Sequence, residues 1–138
     1  MSLLGITKGT GLEKQIDQYL EAESRGVAMY YGLSRLATEE GLDEVAASLL
    51  TLAGDEARHA GLYAVLNGHV PQDIFTTLKQ VAQLESDGVS KIRTFAQQVR
   101  SLGLDAAACE IEAAADDEGR HGQILDELVR KHSESHQY

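Results

Sequence analysis

The chain has 138 residues, a formal net charge of −10 and a single cysteine. That length suits one domain able to bury roughly two-thirds of its unfolded surface, and the charge disfavours nucleic acid or anionic lipid as partners while favouring cations. The lone Cys109 excludes an internal disulfide and a cysteine-built zinc or iron site and fits a reducing cytoplasm; no basic-then-apolar leader opens the chain, and no apolar run nears the roughly 18 residues of a membrane span, so a soluble protein is expected.

Residues 1–9, with Gly5 and Gly9, read as a flexible lead-in. From residue 10 apolar side chains recur at steps of three and four, which predicts helices. The first carries Leu12, Ile16, Leu20, Val27, Tyr30 and Leu33 on one face, and the second carries Val45, Leu49, Leu52, Tyr63 and Leu66. Gly41 between them is placed to end the first helix in a left-handed cap, and Asp43 to cap the second. "NGHVPQD", residues 67–73, contains the only proline, Pro71, and divides the chain. A third helix carries Leu78, Val81, Val89, Ile92, Phe95 and Val99, and a fourth carries Ile111, Leu125 and Leu128, with Gly103 and Asp105 repeating the cap pair. Residues 131–138 are a polar tail in which His132 and His136, four apart, are weak metal-ligand candidates because a terminal polar segment seldom orders itself. Strand signals are absent, and an all-α domain over residues 10–130, made of hairpins 10–67 and 72–130, is predicted.

The two halves are a repeat. Shifted by 62 positions, residues 10–67 align with 72–129 without a gap and share 15 identities in 58 positions, which makes the hairpin the unit of construction. Among the matches are Glu23 with Glu85, Gly26 with Gly88, Glu56 with Glu118 and His59 with His121. Each of these glutamates and histidines falls on an apolar stripe, so all six side chains are expected to face inward. Four carboxylates and two imidazoles gathered in a dry core would oppose folding by desolvation and repulsion, whereas two divalent cations would balance the four charges. The histidine stands three residues after its glutamate, so both side chains leave one helical face and can meet one ion.

One Glu from each of two helices and Glu-x-x-His from each of two more is the pattern of ferritin-like di-iron or di-manganese bundles. The stretch "AESRGVAMYYGLSRLATEEGLDEVAASLLTLAGDEARHAGLY", Ala22 to Tyr63, resembles the first hairpin of rubrerythrin-type proteins of the ferritin-like superfamily. The resemblance implies a four-helix bundle holding two iron ions, or manganese or a mixed pair. It makes Glu56 and Glu118 bridging ligands, Glu23 and Glu85 terminal carboxylates, and His59 and His121 donors of one nitrogen each. It sets Tyr30 near the centre as a hydrogen-bond or electron donor, or as core packing, with Ile92 in its place in the second half. Asp55 and Asp117 either orient the two histidines or pair at the surface with Arg58 and Arg120. Gly26 and Gly88 either leave room for a small oxidant or allow close helix packing, and Cys109 reads as a small buried apolar residue.

The chain departs from rubrerythrins in carrying no paired Cys-x-x-Cys motifs for a rubredoxin-like iron site, which implies a separate electron-donor protein such as a rubredoxin. Gly88 stands where those proteins place an additional glutamate, and what is left resembles the symmetric six-ligand centre of bacterioferritins. In a ferritin-like bundle the second and third helices run parallel, so their link must travel about 35 Å, whereas six residues reach only about 20 Å. A homodimer that exchanges hairpins between chains is therefore expected. The function implied is a cytoplasmic oxidoreductase that reduces hydrogen peroxide or dioxygen in protection against oxidative stress. Ferroxidase or iron-handling activity and a non-catalytic, metal-stabilised scaffold are the alternatives, and no pattern defines a pocket for an organic substrate.

Overall fold

A computed structural model of the chain describes residues 1–132. It contains four helices in order, α1 (Glu13–Glu39), α2 (Asp43–Leu66), α3 (Ile74–Ser101) and α4 (Asp105–His132), and no strand among the described residues. The all-α, four-helix expectation holds. The chain divides into two compact units, Met1–Gln72 and the part that begins at Asp73. Each is a helical hairpin, α1 packed along α2 and α3 along α4.

In the first hairpin α1 ends as expected at Gly41, whose φ of +74° suits a residue without Cβ. Gly41 N donates to Thr38 O at 3.0 Å and Leu42 N to Ala37 O at 2.8 Å, the paired bonds that satisfy the last carbonyls of a helix. Asp43 does not cap α2. It is the first helical residue, the N-cap position belongs to Leu42, and no side chain accepts a capping bond there. The short turn after Gly41 brings Asp43 into the helix itself, where its charge still favours the positive end of the helix dipole. Asp105 is likewise the first residue of α4, with its carboxylate 3.7 Å from Arg100. A side-chain cap does form at Asp73, which accepts from Thr76 N at 3.0 Å at the start of α3.

The seam between α1 and α2 is made of small residues. Ser34, Ala37, Ala46 and Ala53 are buried, and Ser34 Oγ donates to Ala46 O at 2.9 Å across the pair. The repeat carries this seam into the second hairpin, where Ala96, Ala108 and Ala115 occupy the positions of Ser34, Ala46 and Ala53 and Ala82 joins them. At Gly122 the second pair comes so close that a Cβ would lie 2.5 Å from Ser86 Oγ and 3.3 Å from Ala82 O. The aliphatic stripes named from the sequence are not the buried seam. Leu20, Val27, Leu49, Leu66, Val81, Val89 and Leu125 flank it half-buried, and Leu33, Val45, Leu52, Phe95 and Leu128 are exposed, because a pair of helices makes a narrow line of contact that short side chains fill.

Residues 4–12 run as turns along the end of the first hairpin, with Gly5 and Gly9 at positive φ. Gly5 N donates to Val65 O and Thr7 N to Leu66 O, at 2.8 and 3.0 Å. Asn67, 1% exposed, joins this segment to both helices: it accepts from Thr7 Oγ1 at 2.5 Å and donates to Glu13 O at 2.8 Å and Asp17 Oδ1 at 2.7 Å. His69 Nε2 lies 2.7 Å from the same Asp17 oxygen. His132 closes α4, and His136 lies outside the described residues.

Candidate metal centre

Each hairpin gathers one cluster of potential ligands near the middle of its helices. In the first, Glu23 from α1 meets Glu56 and His59 from α2, with one donor atom of each within 4.8 Å of the others. Glu85 from α3 meets Glu118 and His121 from α4 in the same way. The three-residue spacing of glutamate and histidine sets both on the side of the helix that meets its neighbour. The histidines are less enclosed than an all-inward reading predicts, since the side chains of His59 and His121 each remain 49% exposed against 19% and 24% for Glu23 and Glu85. The same reason applies as for the leucines, because one partner helix covers only one side of a long side chain.

The electrostatics repeat between the clusters. The Glu56 carboxyl is held above the ordinary carboxylate range by a hydrogen-bonding contact with Glu23, then by partial burial and by the Glu23 charge, with His59 opposing. Glu118 is raised in the same direction by Glu85, by partial burial and by the Glu85 charge, with His121 opposing. Two carboxyl groups at such range resist being ionised together. His59 Nδ1 lies 3.4 Å from Glu23 Oε2, and His121 Nδ1 lies 3.5 Å from Glu85 Oε2, contacts close enough for charge attraction but without hydrogen-bond geometry. Glu23 Oε2 and Glu85 Oε2 are consequently buried with no hydrogen-bond partner among the described residues.

A buried carboxylate oxygen without a partner is costly and calls for one. A cation beside it would satisfy that lone pair and relieve the repulsion within each carboxylate pair. Two oxygens and one imidazole nitrogen with two formal negative charges suit a divalent first-row ion. The donor set therefore fits the iron or manganese that the sequence implies.

Around the clusters, the structure separates the alternatives left by the sequence. Asp55 pairs with Arg58 and Asp117 with Arg120, the latter at 2.7 Å, so both aspartates are engaged at the surface with the arginine three residues on. Gly26 lies directly against Glu56, and a Cβ there would come within 2.9 Å of Glu56 Oε2, whereas a Cβ at Gly88 would meet nothing within 4 Å. Tyr30 is half-buried on α1. Cys109 is exposed rather than buried, 4.0 Å from Arg100 Nη2, because its position on α4 lies beside the seam and not in it. The sequence reading missed the Thr7, Asp17, Asn67 and His69 network; the available signal was Asn67, which has Val129 opposite it in the repeat and so serves something the second hairpin lacks.

Four helices carrying two equivalent carboxylate–histidine clusters define an all-α protein with the donor set of a metal-binding helical repeat. The chain is 31% identical over 129 residues to an uncharacterized protein of Methanocaldococcus jannaschii, spanning 94% of this chain and 92% of that one. It is 30% identical over 134 residues to reverse rubrerythrin-1 of Clostridium acetobutylicum, spanning 94% of this chain and 73% of that protein. No family model and no solved structure matches it. The chain belongs to the rubrerythrin family.

Proposed function

We propose that this protein is a di-iron oxidoreductase of the rubrerythrin type that reduces hydrogen peroxide or dioxygen. The observation that carries this reading is the duplicated Glu, Glu, His cluster, each copy with one buried and unpartnered carboxylate oxygen. When bound, a pair of ferrous ions supplies the two electrons that, with two protons, convert one hydrogen peroxide into two waters. In this reading Glu23 and Glu85 would each offer a buried oxygen to an ion, and His59 and His121 would each offer one nitrogen. Glu56 and Glu118 would each supply the second carboxylate of their own cluster. Asp55 and Asp117, bound to their arginines, leave both imidazoles free to turn toward the ions. Electrons come from a separate donor protein. The dinuclear centre needs two hairpins facing one another, and we propose that a homodimer supplies them by exchange.

The test is anaerobic loading with ferrous iron followed by peroxide in the presence of a reductant. Sustained peroxide consumption that matches reductant oxidation, and is lost on Glu56→Ala and Glu118→Ala substitution, supports the reading. Accumulation of ferric mineral without turnover makes the protein a ferroxidase instead. Loss of assembly in the substituted chain, with no turnover in the unsubstituted one, makes it a metal-stabilised scaffold. Light scattering that returns a 15 kDa species with metal bound counts against the dimer.

A further inference from the structure

The two clusters are alike in ligands and differ in what lies beside them. In the first hairpin, Glu56 Oε2, Cδ and Cγ lie 2.9, 3.2 and 3.4 Å from where a Cβ on residue 26 would stand, and no other atom is near enough to be met first. The Glu56 carboxylate thus occupies the volume that any side chain at residue 26 would take. In the second hairpin the equivalent Gly88 has open space at that point, so Glu118 does not use it.

We propose that Gly26 is a positioning residue for the first cluster: the side chain it lacks is the space that lets Glu56 lie against Glu23, and this placement sets how tightly that cluster holds its ion. The inference rests on the reading of Glu56 as a metal ligand. A methyl group at residue 26 displaces a flexible side-chain end and no backbone, so the hairpin still forms while Glu56 must leave its place. Alanine also favours a helix interior over glycine, so the metal-free fold has no reason to weaken. A supporting residue of this kind affects metal affinity by about ten- to hundredfold.

The experiment is an anaerobic titration of the full-length, metal-free chain with Co(II), read by visible absorption and by ions bound per chain, for the unsubstituted protein, Gly26→Ala and Gly88→Ala. The expected result is two ions per unsubstituted chain, retained by Gly88→Ala. In Gly26→Ala one of the two binds at least tenfold more weakly with its absorption band altered, and thermal unfolding without metal begins no earlier. Equal binding by Gly26→Ala and the unsubstituted chain overturns the inference, as does equal weakening in Gly88→Ala, which would make it an effect of helix stiffness. A Gly26→Ala chain that fails to fold also overturns it, since something other than Glu56 would then fill the space. If all three chains bind no Co(II), the metal reading itself falls, an outcome distinct from the others.

Discussion

Adding metal to the metal-free protein should raise its unfolding temperature by an amount fixed by the number of clusters. Each cluster has a buried carboxylate oxygen with no partner among the described residues and a carboxylate pair in contact, both relieved by one cation that the unfolded chain does not hold. Binding to the folded form alone stabilises by about 2.7 kcal/mol when the free ion is at a hundred times its dissociation constant. Two clusters therefore contribute about 5 kcal/mol. For a chain of this size each kcal/mol moves the midpoint by about 4 °C, which puts the shift near 20 °C. Differential scanning calorimetry in oxygen-free buffer, with and without Fe(II) or Mn(II), measures it. Glu85→Gln, which touches only the second cluster, should cut the shift to about half, and Glu23→Gln with Glu85→Gln should nearly remove it. An unchanged shift in the double substitution would refute the reasoning, because the stabilising ions would then be sitting elsewhere.

Three further outcomes follow from other contacts. Asn67→Ala removes three hydrogen bonds from a buried site at about 1 kcal/mol each, so urea denaturation should give a loss of about 3 kcal/mol. Asp17 is held below its ordinary value of 3.8, first by its hydrogen bond with His69 and then by that with Asn67. A lowered carboxylate stabilises the fold above its unfolded value and loses that contribution as pH falls through the folded one, so the urea midpoint should drop below about pH 3.8 and drop less in Asp17→Asn. Asp73→Ala removes the cap on Thr76 N and should lower stability by about 1 kcal/mol, read by circular dichroism on heating.

The sequence displayed the helices, the turn glycines and the residues that gather in the two clusters because each leaves a one-dimensional mark. Gly41 and Gly103 adopt positive φ where the apolar period breaks, and the offset of 62 residues carries Glu23, Glu56 and His59 onto Glu85, Glu118 and His121. The packing did not show, for a physical reason. A stripe such as Leu20, Val27 and Leu33 marks which side of a helix avoids water, but Ser34 and Ala37 at its edge make the closest contact, since only short side chains let two backbones approach. Cys109, apolar enough to suggest burial, is exposed for the same reason, since it lies outside the seam. The failed caps at Asp43 and Asp105 turned on one residue of register, which a sequence pattern does not resolve.

An alanine seam also says what kind of object one hairpin is. Alanine has no rotamers to freeze, so zipping two helices along it demands only backbone order, yet each methyl removes little surface from water and returns little free energy. Several larger side chains that could return more, among them Leu33, Val45, Leu52 and Leu128, are exposed. A peptide ending at Gln72 should accordingly behave as a nascent, fraying pair of helices, and the cooperative transition of the protein should belong to whatever assembly dries its outer leucines.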